Sequence, residues 1–175
     1  MSIGCWTLAE TTERRAALEA GSVNLACFEV AGRVYALDVG QVREIVRCQE
    51  VTPLPRAPEL IEGVIDLRGM LLPVIDLGRA LGGAAVARSG RARIVVVEAD
   101  GLMLGLCVDA ALEVLSLEPS ALEDPPALAV QAGYDTVRAV VRRQGDRPVL
   151  VLALDHILEC VYRSALTTAR AGEAA

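Results

Sequence analysis

Two aspartates near a Leu-Arg-Gly sequence are the first candidates for chemistry. The segment GVIDLRGMLLPVIDLGRALGG (63–83) contains Asp66 and Asp76, and a carboxylate pair is what general acid–base catalysis requires. If Arg68 and Gly69 form a hairpin tip, Asp66 lies next to the tip and Asp76 lies at the far end of the second strand. At about 3.3 Å per residue, the two carboxylates are then well over 15 Å apart. The sequence therefore predicts two separate surface or strand-end aspartates.

The other reactive side chains do not form a recognisable catalytic or metal-binding set. His156 is the single histidine, which excludes a histidine-rich metal centre. A cysteine nucleophile needs a histidine as its base, and only His156 could serve. The chain has no lysine for Schiff-base chemistry, no glycine-rich phosphate loop and no GxSxG motif. The five cysteines lack CxxC spacing and have apolar neighbours, which predicts buried free thiols: Cys5, Cys27, Cys48, Cys107 and Cys160. We predict no catalytic residues, no metal and no cofactor.

The composition is that of a soluble globular protein with an aliphatic core. The 175 residues suit one compact domain or two small ones that share a core. Apolar residues make up 53% and aromatic residues 3%, so valine, leucine, isoleucine and alanine must fill the interior. The net charge of −6 argues against nucleic acid as a partner. There is no apolar signal segment and no run long enough to insert in a membrane, which predicts a cytoplasmic location.

Short β-branched and leucine-rich runs separated by turn sequences dominate from residue 23 onward. Strands at this spacing predict barrels or a sandwich rather than βαβ units. The runs are VNLACFEV, RVYALDV, EGVIDL, MLLPVID, ARIVVVEA, LMLGLCVD, TVRAVVRR and PVLVLAL. Prolines predict extended backbone over 48–62 and a flexible connection over 116–135, whereas 82–91 reads as a plain surface loop.

Helices are predicted at the two ends of the chain. Residues 7–21 contain a capping box at Thr7 and Glu10 but a thin apolar stripe, typical of a solvated, frayed helix. Docking of this helix on the body or on a partner is the alternative. A second helix is predicted from Asp155, with that residue as its N-cap and fraying after Leu166.

The sequence repeats itself weakly in two places. YALDVGQVREIV (35–46) resembles LGLCVDAALEVL (104–115) at an offset of 69, and PVIDLGRAL (73–81) resembles LVLALDHIL (150–158) at an offset of 77. Either match alone is weak, but the two occur in the same order. Together they suggest two similar small barrels from a duplication, with a groove between them.

Two pieces have both a structural and a binding interpretation. In VGQVREI, the spacing of Val39, Val42 and Ile45 fits one face of a helical turn or a bent strand end, which would make a core-facing barrel connection. If Val42 and Glu44 instead point outward, this edge is a partner surface. Arg68 is either a solvated turn residue or a guanidinium that bridges backbone carbonyls or a partner's carboxylate.

The chain resembles the CheW family of chemotaxis coupling proteins in three stretches. These are FEVAGRVYALDVGQVREIV…VTPLPRAPELIEGVIDLRGMLLPVIDLGRALG and, later in the chain, VVVEADGLMLGLCVDAALEVLSL and GDRPVLVLALDHIL. The resemblance covers about residues 22–162, leaving an N-terminal helical extension (1–21) and a C-terminal tail (163–175). It implies two intertwined five-stranded SH3-like barrels and no catalysis. It also implies an adaptor, recruited to receptor arrays, that links the cytoplasmic tips of methyl-accepting chemoreceptors to the regulatory domain of the histidine kinase CheA.

The resemblance also implies two interaction surfaces. Carried over residue by residue, the kinase-facing positions are Val42, Glu44 and Ile45. The receptor-facing positions are Arg68, Gly105 and Ala111. The chain departs from the family pattern at Asp66, where asparagine is usual, and at the bulky Val140 and Val141. The alternative function is a two-barrel module that binds a small ligand or regulates an unrelated signalling kinase.

Overall fold

The structure is a computed structural model that describes residues 21–127 and 136–173. In these residues the chain is mainly β, as predicted, with one short and one long α-helix. The strands are β1 (Val23–Val30), β2 (Arg33–Asp38), β3 (Val42–Arg47), β4 (Ile61–Leu67), β5 (Met70–Asp76), β6 (Arg93–Ala99), β7 (Leu102–Val108), β8 (Ala110–Leu117), β9 (Leu122–Glu123), β10 (Val137–Val141) and β11 (Val149–Leu152). The helices are α1 (Leu77–Ala80) and α2 (Leu154–Glu173).

The strands form two sheets that divide the chain in an interleaved way. One sheet has the order β8-β1-β2-β11-β10-β9 and the other has the order β3-β6-β7-β5-β4. The chain therefore leaves the first sheet after β2 and returns to it at β8. Since β9 is only two residues long, each sheet has five main strands. This arrangement confirms the predicted pair of intertwined five-stranded barrels.

The internal sequence repeat corresponds to a repeated strand arrangement. β5 pairs in parallel with β7, with Val74 opposite Gly105, and β11 pairs in parallel with β2, with Val151 opposite Ala36. The offsets of 69 and 77 convert one pair into the other, residue for residue. The two weak sequence matches thus mark structurally equivalent strands.

The hairpin tips repeat as well. Ala31 and Gly32 connect β1 to β2 with φ of 52° and 73°, and Asp100 and Gly101 connect β6 to β7 with φ of 50° and 77°. Two successive residues of positive φ are typical of the tight turns that join twisted antiparallel strands. The equivalence of the two barrels therefore extends beyond the segments that the sequence repeat marked.

β1 is buried on both faces because it lies between two cores. Leu25 and Cys27 pack inside the six-stranded barrel, whereas Ala26 and Phe28 join the apolar cluster of the five-stranded barrel. A strand buried on both faces reads as a continuous apolar run, as this one does. At β1 the two barrels therefore meet through a filled core.

The C-terminal helix is longer than predicted. α2 begins at Leu154 and continues to Glu173, so Asp155 lies in its first turn and is not the N-cap. The helix does not end near Leu166, and much of the predicted C-terminal tail is helical. Alanine and arginine, which are frequent in this part, have high helix propensity, which explains the extension.

Two predicted segments fall wholly or partly outside the described residues. The predicted helix over 7–21 lies outside them except for its last residue. The connection over 116–135 is described up to residue 127, where it contains the end of β8, a 3-10 turn at Pro119–Ala121 and β9. This part of the connection is therefore more ordered than its prolines suggested.

Candidate functional site

The hairpin between β4 and β5 has the tight tip that the sequence predicted. Arg68 and Gly69 have φ of 53° and 84°, so both adopt left-handed backbone. Glycine was expected to do so, whereas arginine seldom does. The carboxylate of Asp66 accepts a hydrogen bond from the backbone N–H of Gly69 at 2.7 Å. Asp66 is therefore an exposed residue near the end of β4 whose carboxylate stabilises the hairpin tip.

An ion pair joins this tip to the edge strand β3. The Arg68 guanidinium donates to the carboxylate of Glu44. The Arg68 side chain is 65% exposed and that of Glu44 is 17% exposed, so the pair lies at the surface with its acidic partner half covered. Arg43, next to Glu44, forms a second ion pair with Glu98. The structure thus brings together two residues that the sequence assigned to different surfaces.

Exposed apolar side chains lie beside the ion pair. Met70 and Leu71 follow the tip directly, and the Leu71 side chain is 70% exposed. The parallel register of β5 and β7, continued to the strand starts, places Leu71 beside Leu102, which is half exposed. We call Glu44, Arg68, Met70, Leu71 and Leu102 the hairpin patch. An apolar centre bordered by charges is the usual composition of a protein-binding surface.

Val42 does not point outward with Glu44, so this part of the prediction is wrong. Val42 is buried, and Ile45 is half buried against the core. Val42 faces Val97 on β6 and Glu44 faces the next residue, Val96, so β3 has one extra residue in between. Such a bulge interrupts the alternation that puts residues i and i+2 on one face.

The three predicted receptor-facing residues lie on separate elements and differ in exposure. Arg68 is exposed at the hairpin tip, Gly105 is buried inside β7, and Ala111 is half buried on β8 in the other sheet. A Cβ at Gly105 would lie 2.5 Å from Cγ2 of Ile94. Gly105 is therefore a close-packing position.

The ion pair at the hairpin patch has a counterpart in the other barrel. Glu113, which the sequence repeat aligns with Glu44, pairs with Arg143 at 2.8 Å. Arg143 lies in the β10–β11 connection, which corresponds to the β4–β5 tip that carries Arg68. It also lies 3.6 Å from Asp146. This second pair is a natural internal control for the first.

Asp76 is the last residue of β5, which agrees with the prediction of a strand-end aspartate, and its side chain is fully buried. Its carboxylate accepts hydrogen bonds from the backbone N–H of Arg79 at 3.0 Å and of Val86 at 3.0 Å. It thereby caps α1 and fixes the loop over 82–91, which is more than a plain surface loop. Asp66 lies opposite Leu71 in the hairpin, and Leu71 precedes Asp76 by five residues along β5. The strand spacing therefore confirms that the two carboxylates are too far apart to act as a pair.

The described cysteines are free thiols of two kinds. Cys27 and Cys107 are buried as predicted, whereas Cys48 and Cys160 are half exposed, and Cys5 lies outside the described residues. Burial raises the pKa of the Cys27 thiol to about 11 and raises that of Cys107 as well, so both stay protonated near neutral pH. Among residues 21–127 and 136–173, no cluster of three or more His, Cys, Asp or Glu residues could hold a metal. No helix in this part of the chain has the length and apolar character needed to cross a membrane.

Replacing Arg68 by asparagine is expected to leave the melting temperature unchanged or slightly higher. The lost ion pair is exposed and is worth about 0–1 kcal/mol. Asparagine tolerates left-handed backbone, so relief of the strain at Arg68 offsets the loss. Arg68→Ala loses the pair without this relief and is expected to melt a little lower. Thermal melting followed by circular dichroism measures both. A large drop for Arg68→Asn would show that the guanidinium is structural and unavailable to a partner.

Comparisons with known proteins agree with the sequence resemblance. The family model for the CheW-like domain matches residues 24–161. The "Chemotaxis protein CheW" of Rhizobium meliloti is 30% identical over 83% of this chain and 93% of that protein, and its Bacillus subtilis namesake is 31% identical over 75% and 84%. The "Protein FrzA" of Myxococcus xanthus is 32% identical over 72% of this chain and 78% of that protein. The crystal structure of the scaffolding protein TtCheW from Thermoanaerobacter tengcongensis superposes with a TM-score of 0.70 at 33% identity, covering 78% of this chain and 92% of that one.

Proposed function

The chain belongs to the CheW-like domain family, and we propose that it acts as a chemotaxis scaffold that couples chemoreceptors to the histidine kinase CheA. It is a non-enzymatic adaptor, because its family works by holding other proteins. The single observation that carries the function is the match of the whole two-barrel body, residues 24–161, to this family. On this proposal the protein lies in the cytoplasm and is recruited to receptor arrays.

The hairpin patch is the surface that we assign to the kinase. Its Glu44 lies on β3, an edge strand of the five-stranded sheet, and its Arg68 lies at the tip of the β4–β5 hairpin, which the ion pair joins to that edge. Leu71 offers exposed apolar area, and the ion pair of Glu44 with Arg68 offers charges that fix the orientation of a partner. Ile45 is partly buried and packs against the apolar core beneath β3, and Val42 is itself a core residue. These features support kinase binding through Glu44 and its neighbours.

The receptor contact is assigned to Arg68, with a smaller contribution from the half-buried Ala111. The guanidinium is exposed and can exchange its partner Glu44 for a receptor carboxylate. Kinase and receptor would then touch the two members of one ion pair. A receptor that draws Arg68 away would change the charge that the kinase meets at Glu44.

Charge reversal tests this assignment. Glu44→Arg is expected to weaken binding of the CheA regulatory domain by about 1 kcal/mol or more, which is about fivefold in Kd, because it puts two cations side by side on the patch. Arg68→Glu is expected to weaken receptor binding by a similar factor. Isothermal titration with the separate kinase and receptor fragments measures both. Unchanged kinase affinity of Glu44→Arg at low and moderate salt would contradict the assignment.

The matched control is the equivalent ion pair in the other barrel. Glu113→Arg makes the same charge change at the same position of the repeat, next to Arg143 instead of Arg68. It is expected to match Glu44→Arg in melting temperature while leaving kinase affinity intact. The double variant Glu44→Arg, Arg68→Glu restores the pair with reversed polarity. Recovered stability without recovered binding would show that partners read the individual charges and not only the intact pair.

The alternative of a small-ligand module has weaker support. One surface cleft lies between β9 and β10 and contains Arg142 and Arg143. These arginines already have acidic partners, Glu123 for the first and Glu113 for the second, so the cleft offers little net positive charge to an anion. A scaffold should bind the kinase fragment without any added ligand, and a strict requirement for a small molecule would favour the alternative.

A further inference from the structure

A pair of thiols lies where β3 ends, apart from the hairpin patch. The sulfur atoms of Cys48 and Cys107 are 4.0 Å apart. Cys48 follows the last residue of β3 and is half exposed, whereas Cys107 lies within β7 and is buried. Because β6 lies between these two strands, the side chains reach toward each other across it. The pair combines one thiol that solvent reaches with one that it does not.

A cationic side chain borders the accessible thiol. The Arg88 guanidinium donates a hydrogen bond to Sγ of Cys48, and it also forms an ion pair with Glu62. A guanidinium can hold negative charge on a neighbouring sulfur or on a sulfenate oxygen. The thiolate is the form of cysteine that attacks a peroxide, and sulfenic acid is its first product. The surroundings of Cys48 therefore suit an oxidation that begins at this sulfur.

We propose that Cys48 and Cys107 are a redox-active pair, and that a peroxide converts them into a disulfide with the help of Arg88. In the first step the sulfur of Cys48 attacks one oxygen of hydrogen peroxide. An S–O bond forms and the O–O bond breaks, which leaves a sulfenic acid and one water molecule. This inference does not depend on the proposed function.

The buried thiol reacts in the second step. Burial raises the pKa of Cys107, so this thiol stays protonated and the peroxide reaches it less readily than Cys48. Its sulfur attacks the sulfur of the Cys48 sulfenic acid and expels hydroxide, which takes the Cys107 proton and leaves as water. Two thiols and one hydrogen peroxide thus give one disulfide and two water molecules.

The bond requires a movement, and the structure assigns this movement to Cys48. Bonded sulfurs lie about 2 Å apart, so the two thiols must approach each other by about 2 Å. Cys107 is held inside the sheet, because β7 pairs with β6 on one side and with β5 on the other. Cys48 lies beyond the end of β3, and its N–H reaches the carbonyl of Ala92 only at 3.3 Å. Oxidation should therefore draw Cys48 toward β7, at the end of the strand that carries Glu44.

Peptide mapping of the oxidised full chain tests the proposal. Hydrogen peroxide should remove two of the five thiols and lower the mass by two hydrogen atoms, and dithiothreitol should restore both thiols. Without reductant, the peptides that contain Cys48 and Cys107 should be joined within one chain. Retention of all thiols would overturn the proposal. So would a link through another cysteine, or a link between two chains.

Single substitutions separate the two thiols. In Cys107→Ala the reaction should stop at the sulfenic acid, so labelling of Cys48 by dimedone should rise several-fold over the wild type. Equal labelling in both would mean that Cys107 does not react with the sulfenic acid, which contradicts the proposal. Cys160→Ser is the control, because it removes a half-exposed thiol on α2 and should leave formation of the link unchanged.

The contribution of Arg88 has its own test. Arg88→Gln keeps a hydrogen-bond donor but removes the positive charge next to Cys48. The rate at which peroxide forms the link should fall several-fold, while the position of the link stays the same. Arg79→Gln makes the same change at a guanidinium that contacts the carbonyl of Glu59, and it should leave the rate unchanged. A wild-type rate in Arg88→Gln would contradict the assistance that the proposal gives to this guanidinium.

Discussion

Asp76→Ala is expected to lower the free energy of unfolding by about 3 kcal/mol. The carboxylate is fully buried and accepts backbone hydrogen bonds from Arg79 and Val86. Alanine leaves both donors unsatisfied in a site that water does not reach, at about 1–3 kcal/mol each. Removal of a buried carboxylate relieves some desolvation cost, which keeps the expected loss well below the sum of the maxima. Denaturant unfolding at constant pH measures the change.

Asp66→Ala is the matched control for this prediction. Asp66 also accepts one backbone N–H, that of Gly69, but it does so at the exposed hairpin tip where water can replace it. Its loss should cost about 1 kcal/mol or less. Asp76→Asn keeps one acceptor oxygen and should fall between the two. If Asp76→Ala and Asp66→Ala were equally destabilising, the carboxylate of Asp76 would not be the anchor of α1 and the loop over 82–91.

The sequence predicted eight of the eleven described strands, because these strands and their turns are encoded locally, but β3, β8 and β9 were not among the predicted runs. The bounds of β1 and β5 agree with the predicted runs, since β-branched residues end at turn residues such as Gly32 and Gly69. The sequence repeat predicted two equivalent barrels, and the parallel pairs Val74 with Gly105 and Val151 with Ala36 bear this out. These features depend on neighbours within a few residues, which a single sequence displays directly.

The features that the sequence did not predict depend on contacts between distant segments. The hydrogen bond from Val86 to Asp76 closes a loop of ten residues, and nothing in the loop sequence marks it. The pairing of Arg68 with Glu44 requires the barrel to bring a hairpin tip to an edge strand. The bulge that turns Val42 inward could have been suspected from the 3-10 turn ahead of it, where VGQ interrupts the strand pattern.

Gly105 gives the second large expected effect and separates packing from binding. Gly105→Ala would place a Cβ 2.5 Å from Cγ2 of Ile94, a β-branched side chain with little rotamer freedom. We expect a loss of about 1–3 kcal/mol in the free energy of unfolding, although alanine normally stabilises a strand relative to glycine. The equivalent position in the other barrel is Ala36, which is buried and already carries the methyl group. The reverse change, Ala36→Gly, should therefore also destabilise, for lack of packing.

A double-mutant cycle with Ile94 identifies the cause of the Gly105 effect. Ile94→Ala removes the clashing Cγ2 and alone costs about 2–5 kcal/mol, because Ile94 is fully buried. The double variant should be more stable than the two single losses added together predict, by about 1 kcal/mol or more, because the new methyl group enters the space that Ile94 vacated. Receptor-fragment binding at a temperature where Gly105→Ala is folded then decides its role. A packing role leaves the affinity per folded molecule at the wild-type value, whereas a loss of affinity in a fully folded variant would mean that the receptor contacts the backbone at this strand.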